Sequence, residues 1–176
     1  MQLVHRTILK GLLLAAAGLF LTTSCVGYRL GDVKPANMSG ITSLAVPTFK
    51  NDTLEPRISS MLTTHVIQQL QRDGTYKIGT VSGSDAVLNA TITDIERRPF
   101  RISRSNFLSS DQLKYVITIE YWVKDSATGE ILSDGTVTGD AWGLAEENLQ
   151  LSERQGLEGA SERLALDLMS KISEGW

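Results

Sequence analysis

The chain has 176 residues, with 17 Lys plus Arg against 20 Asp plus Glu, a formal net charge of −3, one cysteine and two histidines. That length suits one domain with an appended segment, and the balanced charge with 41% hydrophobic residues fits a globular protein, not a disordered chain or a basic nucleic-acid binder. A single Cys excludes an internal disulfide and any CxxC pair for zinc or thiol exchange.

Residues 1–24 contain no acid, and Arg6 and Lys10 precede an eleven-residue run, Gly11–Leu21 (GLLLAAAGLFL). A spanning helix needs about 20 apolar residues. A basic start, a short apolar core and small polar residues instead make a secretory signal peptide. Thr22-Thr23-Ser24-Cys25 follows and resembles the lipobox of bacterial lipoprotein precursors, although Thr22 stands where that motif prefers Leu. In such precursors the Cys becomes the first mature residue and takes a diacylglyceryl group on sulfur. Each buried methylene contributes about 0.8 kcal/mol, so several acyl chains give stable attachment without a spanning helix. Cys25 is the expected lipidation site. Residues 25–40, rich in Gly and polar residues, read as a lipid-anchored tether, and 41–176 as a single domain.

Within that domain Ile41–Phe49 is a short β-branched strand that Pro47 limits to an edge or a bulged end. Asn51-Asp52-Thr53 is a turn, with Asp52 or Thr53 capping a helix whose first turn holds Glu55 and Pro56. Ile58, Leu62, Val66 and Leu70 recur every four residues and make its buried stripe, and Gly74 closes it. A strand begins near Tyr76 and gives way at Ser82–Asp85. From Ala86 the pattern alternates, with Ala86, Leu88, Ala90 and Ile92 on one face and Asn89, Thr91 and Thr93 on the other. Leu113–Val123 is the clearest strand, with Leu113, Tyr115, Ile117, Ile119, Tyr121 and Val123 on one side. Asp125–Gly129 (DSATG) is a turn, and Ile131–Trp142 returns. A last helix, Asn148 to Ser173, presents Leu157, Ser161, Leu164, Leu168 and Ile172, broadened by Ala160 and Ala165. The expected fold is α+β: two helices on one face of a mostly antiparallel four-stranded sheet, in the order β-α-β-β-β-α.

Catalytic and cofactor motifs are missing from the sequence. There is no GxGxxG, P-loop or HExxH, and His65, on the flank of the first helix, reads as a solvated or hydrogen-bonded side chain. The paired acids Glu146-Glu147 and Asp94/Glu96 read as a solvated face. No enzyme activity, cofactor, metal or nucleic-acid partner is expected. One constellation stands apart. Arg97, Arg98, Arg101 and Arg104 fall within eight residues of an otherwise acidic chain, interleaved with Phe100, Ile102, Phe107 and Leu108. Pro99 should end the sheet ladder there and leave an arm or hairpin tip. Two readings stay open. The arginines pair with nearby carboxylates on a solvated hairpin, or their guanidinium forks take phosphate oxygens while the apolar residues meet acyl chains or a protein wall.

The order and spacing of several segments resemble the LPS-assembly lipoprotein family, LptE. These are Cys25 with Gly27-Tyr28-Arg29-Leu30, then Ile41-Thr42-Ser43-Leu44-Ala45-Val46-Pro47-Thr48-Phe49-Lys50-Asn51-Asp52-Thr53, and Gln69-Leu70-Gln71-Arg72-Asp73-Gly74-Thr75-Tyr76. After them come Asp85-Ala86-Val87-Leu88, Ile95-Glu96-Arg97-Arg98-Pro99 and the ending Ile172-Ser173-Glu174-Gly175-Trp176. The resemblance implies an outer-membrane lipoprotein on the periplasmic side. Such a protein plugs and helps assemble the β-barrel LPS translocon and contacts LPS during its delivery to the outer leaflet. The implied partners are that barrel, LPS, and the membrane through the N-terminal lipid. From charge and position, the LPS- or partner-binding candidates are Arg97, Arg98, Arg101, Arg104, Phe100 and Phe107. The opening βα unit is also similar to modules of curli-secretion and TolB-type assemblies, which would make the chain an adaptor lipoprotein without LPS specificity.

Overall fold

A computed structural model describes residues 34–101, 111–145 and 149–174. Strands β1 (Ser43–Ala45) and β2 (Lys50–Asn51) precede helix α1 (Ile58–Asp73). Strand β3 (Lys77–Ile78), three long strands β4 (Ala86–Arg101), β5 (Asp111–Asp125) and β6 (Ile131–Ala145), and helix α2 (Leu149–Glu174) follow. The sheet is six-stranded and mixed, in the order β3-β1-β4-β5-β6, with β2 also paired to β4. This corrects the expected four-stranded, mostly antiparallel sheet. The β4-β5-β6 meander is antiparallel, while β1, β2 and β3 pair in parallel.

The difference begins at Pro47. Of the expected strand 41–49 only Ser43–Ala45 forms β1, β2 follows just past it at Lys50–Asn51, and β1 lies inside the sheet between β3 and β4. The next correction concerns the start of α1, at Ile58, with Arg57 at its cap position and no side-chain cap. Asn51 has taken the groups that would have capped an earlier start. Its Oδ1 accepts Thr53 N–H at 2.9 Å and the Thr53 hydroxyl at 2.7 Å, and its Nδ2 donates to Glu55 O at 2.8 Å. The loop therefore closes on itself as an Asx turn before the helix begins.

Both helical stripes meet the sheet as expected. Ile58, Leu62, Val66 and Leu70 of α1 join Leu157, Leu164, Leu168 and Ile172 of α2 in one core with Leu88, Ile92, Ile117, Ile119 and Val123. Gly74 ends α1 at φ 77°, its N–H donating to Leu70 O, a conformation that favours glycine. Residues 34–40, expected to be tether, belong to the fold. Met38 is fully buried, and Lys34 donates to Ile41 O at 2.8 Å.

Asp85 ties β1 to β4. Its Oδ2 accepts the Thr42 hydroxyl at 2.6 Å and the N–H groups of Thr42 and Ser43 at 2.9 Å each. The Thr42 hydroxyl, then the Thr42 amide and the Ser43 contacts, hold this carboxyl well below the usual carboxylate range. A depressed folded value adds stability above the unfolded pKa, about 3.9 for Asp, and loses it as pH falls through that value toward the folded one. Asp85→Asn is expected to destabilise the domain at pH 7. The gap to the parent should narrow steadily below about pH 4, and urea midpoints across pH 2–7 measure it. A gap independent of pH would show that the carboxylate charge is not what these donors serve.

Candidate functional site

The sheet has two distinct ends. At the proximal end Asp125 pairs with Ala86, and the Tyr76 hydroxyl donates to Ile172 O near the finish of α2. At the distal end the β4-β5 ladder reaches Arg101↔Gln112, and β6 follows β5 as far as Ala145↔Asp111. Pro99 does not break this ladder; it stands opposite Leu113, with an irregularity between Pro99 and Arg101. Beyond Ile92 no described strand flanks β4 on its other side, so a residue without an N–H is tolerated there.

A register shift between Ile92 and Asp94 decides which way the arginines face. Such a bulge moves every later side chain to the opposite face from simple alternation. Arg97 thus stands opposite Tyr115 on the helix-covered side, whereas Arg98 stands opposite Lys114 on the open side. Arg97 pairs with Glu55 at 3.5 Å, from the loop before α1, and with Glu153, near the start of α2. Arg98 pairs with Glu96 on its own strand. For these two residues the structure shows the carboxylate-paired arrangement, on opposite faces. The backbones of Phe100 and Arg101 lie in β4; Arg104, Phe107 and Cys25 lie outside the described residues.

The two acids that Arg97 pairs with line a cleft of about 480 Å³ between the two helix starts, together with Arg57, Met61, Leu151 and Leu157. Leu54 on the same loop is fully exposed, and Leu151 is nearly half exposed. Behind Arg97 the phenol of Tyr115 is pushed up by burial, then by the Glu153 carboxylate, with the Arg97 charge opposing. Sequence reasoning missed Glu55, Arg57 and Glu153, because the residues that Arg97 joins are far apart in the chain and share no local pattern. Since the side chains of the Arg97 pairs are about a third to a half exposed, Arg97→Gln is expected to cost less than about 1 kcal/mol in urea unfolding.

The open sheet face is polar and aromatic. Lys114 lies 5.2 Å from the centre of the Trp142 ring and pairs with Asp140 at 3.1 Å. His65 is half-buried on α1. Among the described residues no group of His, Cys, Asp and Glu side chains is placed to hold a metal, and no helix is long and apolar enough to cross a membrane.

Two helices on one face of a mixed sheet define a class of α+β domain that solved bacterial proteins share. A minor lipoprotein from Acinetobacter baumannii shares it at a TM-score of 0.52 and 12% identity, covering 77% of this chain and 94% of that one. The PelC dodecamer from Paraburkholderia phytofirmans gives a TM-score of 0.52 at 14% identity, over 81% and 95%. A hypothetical protein from Chlamydia trachomatis gives 0.54 at 7%, over 76% and 96%. At these identities the likeness is one of fold. No curated protein matches in sequence. The family model for lipopolysaccharide assembly, LptE, matches residues 41–172, and the chain belongs to that family.

Proposed function

We propose that this chain is an outer-membrane lipoprotein, anchored through Cys25 with residues 41–176 on the periplasmic side. In this reading it plugs and helps assemble the β-barrel LPS translocon and contacts LPS during delivery to the outer leaflet. The observation that carries the reading is the LPS-assembly family match across residues 41–172. The lipobox-like Thr22–Cys25 and the charged distal hairpin support it. Affinity capture of the detergent-extracted chain is expected to bring down a large heat-modifiable β-barrel, and Cys25→Ser should release the chain from membranes. Capture of an envelope assembly without such a barrel would replace this reading with the adaptor one.

For LPS contact the proposed residues are Arg97, Arg98, Arg101 and Arg104, with Phe100 and Phe107 beside them. An arriving phosphate would draw Arg97 from Glu55 and Glu153, and Arg98 from Glu96. Each charge-assisted contact contributes about 1.5–3 kcal/mol if shielded from water, and less if exposed. Changing all four arginines to glutamine is expected to weaken LPS binding at least tenfold while barely moving the melting temperature. Unaltered LPS affinity in that variant would remove the hairpin from the site.

A further inference from the structure

Helix α1 turns one ridge outward. Ser60, Thr64, Gln68 and Gln71 recur at helical spacing on a single face, and all four are exposed. Arg57 and Arg72 bracket the ridge, and the run 58–71 between them contains no Asp, Glu, Lys or Arg. Nine residues of that run are not buried. A soluble surface is about 25–35% charged, so nine such positions would ordinarily hold about three charges.

The other long surfaces differ. The outer side of α2 carries Arg154, Glu158, Glu162 and Arg163, the last paired with Asp167 at 3.6 Å. The open sheet face carries Glu96 with Arg98 and Lys114 with Asp140. Among the described residues, α1 alone of these three surfaces is without charge along its length, in a chain that is 21% charged.

The ridge is also prepared for covering. The Ser60 hydroxyl donates to Arg57 O at 3.2 Å, and the Thr64 hydroxyl donates to Ser60 O at 2.7 Å. Both protons are satisfied within the helix, so burial orphans neither donor, and each oxygen can still accept. The amides of Gln68 and Gln71 offer donors and acceptors together. Half-buried Met61 and Ile67 flank them. Cores of protein interfaces are depleted in charge because a buried charge without a partner is costly.

We propose that this face of α1 packs against the inner wall of the β-barrel, at a stretch of neutral, hydrogen-bonding side chains. The lumen side of such a barrel is polar. Hydroxyls and amides meet a polar wall without stranding a charge, whereas the charged faces of α2 and the open sheet would have to find a partner for each ion. Those faces stay toward water.

The inference rests on the barrel-plug reading, and the test separates the two. The full chain is captured from detergent extracts as Thr64→Arg/Gln68→Arg and as Thr64→Glu/Gln68→Glu. Each is expected to lower the recovered heat-modifiable barrel by about tenfold or more, because neither sign of charge finds a partner on a neutral wall. The melting temperature of the purified chain should move by less than about 4 °C. Thr64→Ser/Gln68→Asn, which keeps the ridge neutral, and Glu158→Arg/Glu162→Arg on α2 should both leave recovery within about twofold of the parent. Full recovery with either sign at 64 and 68, or an equal loss from the α2 variant, overturns the α1 surface while the plug reading stands. A parent chain that brings down no barrel overturns the plug reading, and this surface with it.

Discussion

Gly139→Ala is expected to destabilise the domain by about 2–3 kcal/mol, at the upper end of what overpacking a close-packed core costs. Gly139 stands opposite Ile117 on the covered face of β6, where α2 crosses. A Cβ there would lie well inside contact with Ala160 O and Leu164 Cβ, and 2.5 Å from Leu164 N. Two of those three atoms are helix backbone, which cannot turn aside as a side chain can. The helix would have to rise off the sheet along the run that seats Ala160, Leu164 and Leu168. In an ordinary strand the same change would gain about 0.5–1 kcal/mol from reduced chain entropy, so the close approach reverses the sign. For a domain of this size the loss corresponds to a melting temperature lower by about 6–10 °C. Gly40→Ala, where a Cβ would meet nothing within 4 Å, is the control and should stay within about 0.5 kcal/mol. Equal melting temperatures for the two variants would show that the contact between α2 and β6 is looser than this geometry requires.

The same contrast between local and non-local effects explains how much of the molecule could be read from its sequence. The stripe Ile58-Leu62-Val66-Leu70, the face Tyr115-Ile117-Ile119-Tyr121-Val123 and the face of α2 are legible because burial imposes a period of 3.6 or 2 that a window of neighbours displays. All of those residues are buried. The turn at 125–129 is legible for a local reason as well: Gly129 adopts φ 76° and Asp125 accepts the amides of Ala127 and Thr128. What sequence did not show depends on partners far along the chain. The mixed topology arises because β1 and β3 are only three and two residues long, too short for alternation to reveal their pairing. Arg97 and Arg98 look like one cluster in sequence, yet the bulge after Ile92 sends them to opposite faces and different acids. A bulge leaves no signature in an alternating run that is already polar at Thr93 and Asp94. The roles of Glu55 and Glu153 appear only when two helix starts meet beside Arg97 on β4.

Gly156→Ala tests the same dependence at the root of the hairpin. An exposed helix glycine gains about 1 kcal/mol on becoming alanine, but here a Cβ would fall inside contact with Cδ2 and Cε2 of Tyr115 and 2.9 Å from its Cγ. The ring is only 2% exposed and is among the largest fully buried side chains, so it has no free volume to move into. A net loss of about 2 kcal/mol is expected once the helix gain is subtracted from the clash. The clash belongs to the pair, so Gly156→Ala made in a Tyr115→Leu background should cost much less than it does alone. A coupling energy of about 1–2 kcal/mol from the four-variant cycle would assign the loss to this contact. A second readout follows from the electrostatics. Burial, aided by Glu153, holds the Tyr115 phenol above its ordinary value, with Arg97 pulling the other way. A ring displaced toward solvent loses that burial and should titrate closer to a free tyrosine in ultraviolet absorbance. Destabilisation with an unchanged phenol titration would mean that α2 moves and the ring does not. The attitude of the hairpin to the helix would then be set by the Arg97–Glu153 pair, not by the seat that Gly156 gives Tyr115.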